Sequence, residues 1–164
     1  MLQNQPNRLS QARQLAEEAL AIKQTLDPAA AKIWNTYGIL AEIADKQHDT
    51  TKAKEYRRLS REAKAAFVGT KYELHKHEQL IYAVVAAVND AEVRRQLEPH
   101  LQEGVKNGWG NLVAAIHRLL EGERDVDVPC EELAHLESSM IIYAILRGIA
   151  EPETVKPLLE GQED

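Results

Sequence analysis

The chain is short of most things that would name a chemistry. It has one cysteine, Cys130, in 164 residues. No intrachain disulfide can form, which excludes a disulfide-framed secreted domain. Aromatic residues are scarce at 5%. No apolar run approaches the roughly 18 residues that a membrane span requires. The opening stretch, Met1 to Asn7, is polar and lacks the apolar centre of a signal peptide, so a cytoplasmic address is the expectation. Basic residues are in the minority, with 20 Lys and Arg against 26 Asp and Glu, and the net charge is −6. A nucleic-acid binder needs a basic stripe, so no nucleic-acid partner is expected. The most basic stretch, Lys52 to Arg61, is interrupted by Glu55 and followed by Glu62, and reads as a solvated helix face. No segment alternates with period two, so no strand is expected.

What is present favours helices. The hydrophobic fraction is 44% and the charged fraction 28%, ordinary values for a globular protein. Ala and Leu carry the apolar content, and Glu, Lys, Gln and Arg carry the rest. All of these lose little conformational freedom in a helix. The length suits one domain, or two small abutting ones.

Helical spacing marks the elements. Leu9, Ala12, Leu15, Ala16, Ala19, Leu20 and Ile22 form an apolar stripe, predicting a helix from about Leu9 to Leu26. Asp27-Pro28 stops it. A second helix is expected from Ala29 to Lys46, with Ile33, Trp34, Tyr37, Ile39, Leu40, Ile43 and Ala44 as its apolar set. Gly38 lies in its interior, a cost best explained by the close approach of a neighbouring helix. Asp49 or Thr50 can cap a third helix from Thr51 to Phe67, with Gly69 as its C-terminal cap. A domain seam is expected near 68–72, dividing a region 1–68 from a helical bundle at 69–164. In that second region helices are expected near 75–88, 91–106, 110–122, 129–135, 137–150 and 152–160. It also holds a weak internal repeat: aligning Ala83, Ala115 and Ala144 gives steps the length of one helical hairpin.

The spacing of Trp34, Tyr37 and Gly38, followed by Ala53 and Ser60, resembles the tetratricopeptide repeat. The leading half is Ala12 and Ala19 with Pro28 after them. The 41 residues from Ala12 to Ala53 look like the longer repeats of the kinesin-light-chain type. The resemblance covers about residues 8–67. It departs from the pattern where Ala41 and Arg57 stand in the aromatic slots, Tyr56 coming one place early. It implies an all-α fold: tetratricopeptide-like helical hairpins followed by an α-helical bundle or degenerate hairpins of an α-α superhelix. It further implies a protein-binding module, with another protein or peptide as partner. Such a hairpin cannot bury its apolar face alone. The stripe of the first helix is therefore expected to lie under a second copy of the chain, as a homodimer, or under the C-terminal helices.

Candidate chemistry is sparse. His75 and His77 are two residues apart, so their rings point away from each other in a helix and cannot share a metal. Glu131 and His135 would share a face of a helix starting near Pro129, beside Cys130, yet spacing indicates no third ligand. His100 and His117 stand outside any nucleophile motif, and Gly104 to Gly110 lacks the preceding strand of a phosphate loop. That glycine stretch reads as a helix end and turn, with Trp109 either anchoring the next helix or exposed as a contact hot spot. Carboxylate neighbours such as Glu17-Glu18 and Asp125-Asp127 carry no reason for a shifted pKa. No catalytic residue, metal or cofactor is therefore expected, and the chain is read as no enzyme. In the implied hairpin Lys32, Asn35, Ile39 and Glu42 are the concave-facing candidate binding residues of the second helix. Ile39 and Glu42 argue against gripping a partner's C-terminal carboxylate. The alternative reading is a self-associating or regulatory C-terminal piece of a larger bacterial signalling protein.

Overall fold

A computed structural model describes residues 5–27 and 31–155. Among these residues every regular element is a helix and none is a strand, so the fold is all-α. No described helix is long and apolar enough to cross a membrane. The chain divides into two compact units, Met1–Lys71 and Tyr72–Asp164, described in turn.

In the first unit α1 spans Gln5–Lys23, α2 Ile33–Lys46 and α3 Thr50–Ala66. Helix α4, Val68–Leu74, contains the division between the units. The turn from α2 to α3 is fixed locally. Gln47 donates back to the Ile43 and Ala44 carbonyls, and His48 turns the chain at φ 60°. The Asp49 carboxylate then accepts from Lys52 N at 3.1 Å, the cap expected from its side chain. With only three residues between them, α2 and α3 fold back antiparallel. Ala41 and Ala53 are fully buried, and their small side chains let the two backbones approach closely. Ser60 Oγ donates to the Trp34 carbonyl at 2.9 Å. Trp34 meets Phe67 with ring centroids 5.0 Å apart, and Tyr37 stacks on Tyr56 at 6.5 Å. Tyr56, not Arg57, is thus the aromatic that packs within the hairpin. Arg57 points outward to an ion pair with Asp45.

Three sequence expectations are corrected here. Helix α1 packs through Ala12, Ala16 and Leu20 against Leu40, Ile43 and Tyr56. That part of its stripe is thus covered by its own hairpin. Leu15 and Ile22 do not share that coverage: they lie 66% and 63% exposed. Each residue turns about 100° around a helix, so Leu15 points well away from Ala16. The interior glycine Gly38 has nothing within 4 Å of where a Cβ would stand, so no close approach explains it. Gly69 is not a cap. Helix α3 ends at Phe67, whose backbone is extended, and Gly69 lies inside α4, where a methyl group would overlap the Phe67 ring. The Ala29 start expected for the second helix lies outside the described residues.

In the second unit a 3₁₀ turn at His75–His77 leads into α5, Glu78–Ala87. Then come α6, Ala91–Gly104, a π-helical turn at Val105–Trp109, and α7, Gly110–Leu120. Short α8, Asp127–Cys130, precedes α9, Leu136–Ala150, and a 3₁₀ turn at Pro152–Thr154. The helix expected over 152–160 is described only as that last turn. The one expected near 129–135 lies earlier, at Asp127–Cys130. Asp90 caps α6 by accepting from Glu92 and Val93 N–H groups at 2.9 and 3.1 Å.

The core of this unit follows a common register in three helices. Ile81, Val113 and Ile142 are buried on α5, α7 and α9. One turn on, so are Val84, Ile116 and Ile145, and after them Ala87, Leu119 and Gly148. These positions keep the steps of the alanine alignment read from the sequence. Helix α6 adds Leu97 and Leu101 to the same cluster.

Candidate functional site

Trp109 stands where α6 gives way to α7. Gly108 before it adopts φ 90°, ψ 9°. That left-handed conformation costs an L side chain roughly 1–2 kcal/mol, so glycine is the residue the turn requires. Trp109 then serves as the N-terminal cap position of α7, its backbone joining the helix while its ring stays 41% exposed. The anchoring and the exposure that the sequence posed as alternatives for Trp109 occur together. It begins the next helix, and it presents a large apolar ring to solvent.

The ring is held from one side by His77, with centroids 6.0 Å apart and planes at 66°. That geometry puts the edge of one ring toward the face of the other, a favoured aromatic arrangement. His77 is itself fixed: Nε2 donates to Glu137 Oε1 at 3.0 Å, and Lys76 Nζ donates to the same oxygen at 2.6 Å. His77, then Lys76, hold the Glu137 carboxyl below its usual range. A residue of α9 thereby orients a histidine that braces a tryptophan beside α7.

Beside Trp109 opens a cavity of about 290 Å³. Leu101, Leu112, Val113 and Ile116 give it an apolar floor. His77, His100, Glu103 and Asn107 contribute the polar lining, which contains no Lys or Arg. His100 Nδ1 donates to the Gln96 carbonyl at 3.2 Å, so its Nε2 is left as an acceptor if the ring is neutral.

A larger depression of about 600 Å³ lies between α6 and α7, lined by Arg94, Arg95, Glu98 and His117 among others. Four of these side chains have partners. Arg94 donates to the Leu120 carbonyl, Arg95 pairs with Glu92, and His117 Nε2 lies 3.0 Å from Glu98. Gln102 and then His117 lower the Glu98 pKa by hydrogen bonding. The Arg94–Leu120 and Glu98–His117 bonds tie α6 to α7.

The other candidate residues lie on α2 in the first unit. Lys32 takes the left-handed φ of 42° just before α2. Asn35, Ile39 and Glu42 follow at helical spacing, and all four are exposed, with Ile39 at 52%. They share one outward face of the helix. His75 and His77 turn to different carboxylates, Glu78 and Glu137, as their spacing predicted. The Glu131–His135 pairing is corrected: α8 ends at Cys130, and His135 is extended ahead of α9, so the two are not on one helical face. Among the described residues no group of three or more His, Cys, Asp or Glu stands ready for a metal ion.

The sequence pointed to Trp109 but not to its surroundings. His77 and Glu137 are 60 residues apart, and only the folded unit brings them to the tryptophan. An all-α protein with an apolar, tryptophan-walled cavity is the class that fold and site define. Compared with protein-family models, curated proteins and solved structures, the chain matches none.

Proposed function

We propose that the protein is a non-enzymatic protein-binding module, tetratricopeptide-like over residues 8–67, that holds a segment of another protein. The single observation that carries this reading is Trp109, half-exposed over an apolar cavity and braced by His77. A rigid, partly exposed indole beside an apolar pocket is the typical make-up of an interface hot spot. At about 290 Å³ the cavity falls at the lower limit for small-molecule and cofactor sites, and suits a side chain better. The outward row Lys32, Asn35, Ile39 and Glu42 on α2 is a second contact face within the same function.

The test is affinity capture from the native cell lysate with the wild-type chain, Trp109→Ala, and the Asn35→Ala/Ile39→Ala pair, each checked for unchanged helical circular dichroism. A stoichiometric protein lost with Trp109→Ala supports the reading. One retained equally by all three variants removes both faces from it.

A second reading is self-association through α1. Leu15 and Ile22 on α1, and Leu26 just past its end, are 51–66% exposed. Concentration-dependent sedimentation abolished by Leu15→Glu favours it. A monomer at all concentrations sinks it.

A further inference from the structure

Resting on the reading of the Trp109 cavity as a protein-binding site, we propose that its occupant is a cationic segment of a partner protein. One apolar side chain of that segment fills the cavity, and flanking Lys or Arg residues meet its acidic surroundings.

The argument is one of charge. The two units of this chain carry opposite signs. Met1–Lys71 holds twelve Lys and Arg against eight Asp and Glu, a net of +4. Tyr72–Asp164 holds eight against eighteen, a net of −10. Restricted to its described residues, 72–155, the second unit still has seven basic residues and fifteen acidic ones. The whole-chain value of −6 conceals this division.

At the cavity the Asp, Glu, Lys and Arg side chains in the lining come down to one carboxylate. Glu103 lines it, and no Lys or Arg does. Lys76, next to His77, is taken up by Glu137 at 2.6 Å. Lys106 lies in the adjoining turn, three residues from Glu103. An acidic peptide or a nucleic acid approaching this unit meets a like-signed field, whereas a basic segment is drawn in. The exposed indole reinforces the choice, because a Lys or Arg beside the anchor can lie over its face. The apolar floor of Leu101, Leu112, Val113 and Ile116 supplies affinity, and Glu103 with the negative charge of the unit supplies selection.

The experiment is to pan a random peptide display library against the full chain and, in parallel, against Trp109→Ala. Sequences selected only by the wild type should share one Leu, Ile, Met or Phe flanked by Lys or Arg. A synthetic peptide of that sequence should bind about tenfold more weakly to Trp109→Ala, as expected for loss of a hot spot. It should also weaken with Glu103→Lys and with rising salt. Trp109-dependent sequences that are acidic or uncharged would overturn the cationic partner while leaving the protein-binding reading intact. No Trp109-dependent selection would overturn both. Self-association of the chain that Trp109→Ala abolishes would replace the cationic partner with a second copy.

Discussion

A Cβ built on Gly148 of α9 stands 2.8 Å from Cγ2 of Val85 on α5 and 2.9 Å from Cγ1 of Val155. The two helices meet there because one of them has no side chain. Gly148→Ala should therefore destabilise the protein by about 1–3 kcal/mol through overpacking. Gly38→Ala should do the reverse. Its Cβ enters open space in a helix interior, so it should stabilise by about 0.5–1 kcal/mol. Urea midpoints of the two variants decide the matter, and equal shifts of either sign would contradict this packing.

Ser60→Ala removes the hydroxyl that bonds the Trp34 carbonyl across the α2–α3 hairpin. The expected loss is about 1 kcal/mol. Trp34→Ala, which empties a buried site against Phe67, should cost about 3–5 kcal/mol. Thermal denaturation of both variants checks the ranking, and a Ser60→Ala loss as large as that of Trp34→Ala would overturn it.

Acid should weaken the second unit through two named carboxylates. Glu137 is held below its ordinary pKa by His77 and then Lys76, and Glu98 by Gln102 and then His117. A lowered folded-state pKa means stability that is present above the unfolded value, near 4.3 for Glu, and is lost as pH falls through the folded value. Wild-type stability should thus fall below about pH 4, and a Glu98→Gln/Glu137→Gln variant should show a shallower fall. Denaturant midpoints across that range provide the measurement; parallel curves for the two proteins would count against these pairs.

The His77 brace predicts a spectroscopic effect. In a Trp34→Phe background, Trp109 is the remaining tryptophan. Replacing His77 with Ala should free its ring, lowering the fluorescence anisotropy. An unchanged anisotropy would mean that the ring is held by its own turn.

Asp90→Ala strips two N–H groups of α6 of their acceptor. The cost should be about 1 kcal/mol. Hydrogen exchange should report it first in the amides of Glu92 and Val93, and uniform exchange along α6 would argue against a local cap.

Periodicity and caps were legible along the chain because they are local. Asp49 lies three residues before the N–H that it caps, and Ala83, Ala115 and Ala144 mark a register that repeats within single helices. The same reasoning could not separate Gly38 from Gly148 or Gly69. All are glycines in helices, and only their neighbours in space decide which one is needed. It also placed Leu15 and Ala16 on one stripe, whereas packing against a single hairpin buries a narrower face.

By itself, then, the sequence determined the all-α class, most helix boundaries to within a few residues, and the prominence of Trp109. These depend on backbone propensity, period and turn chemistry, which act over a few residues. The tertiary structure alone decided that His77 and Glu137 brace that tryptophan, that an apolar cavity opens beside it, and that Leu15 and Ile22 stay uncovered. Those relationships join residues tens of positions apart, and nothing in a local pattern specifies which distant side chains will meet.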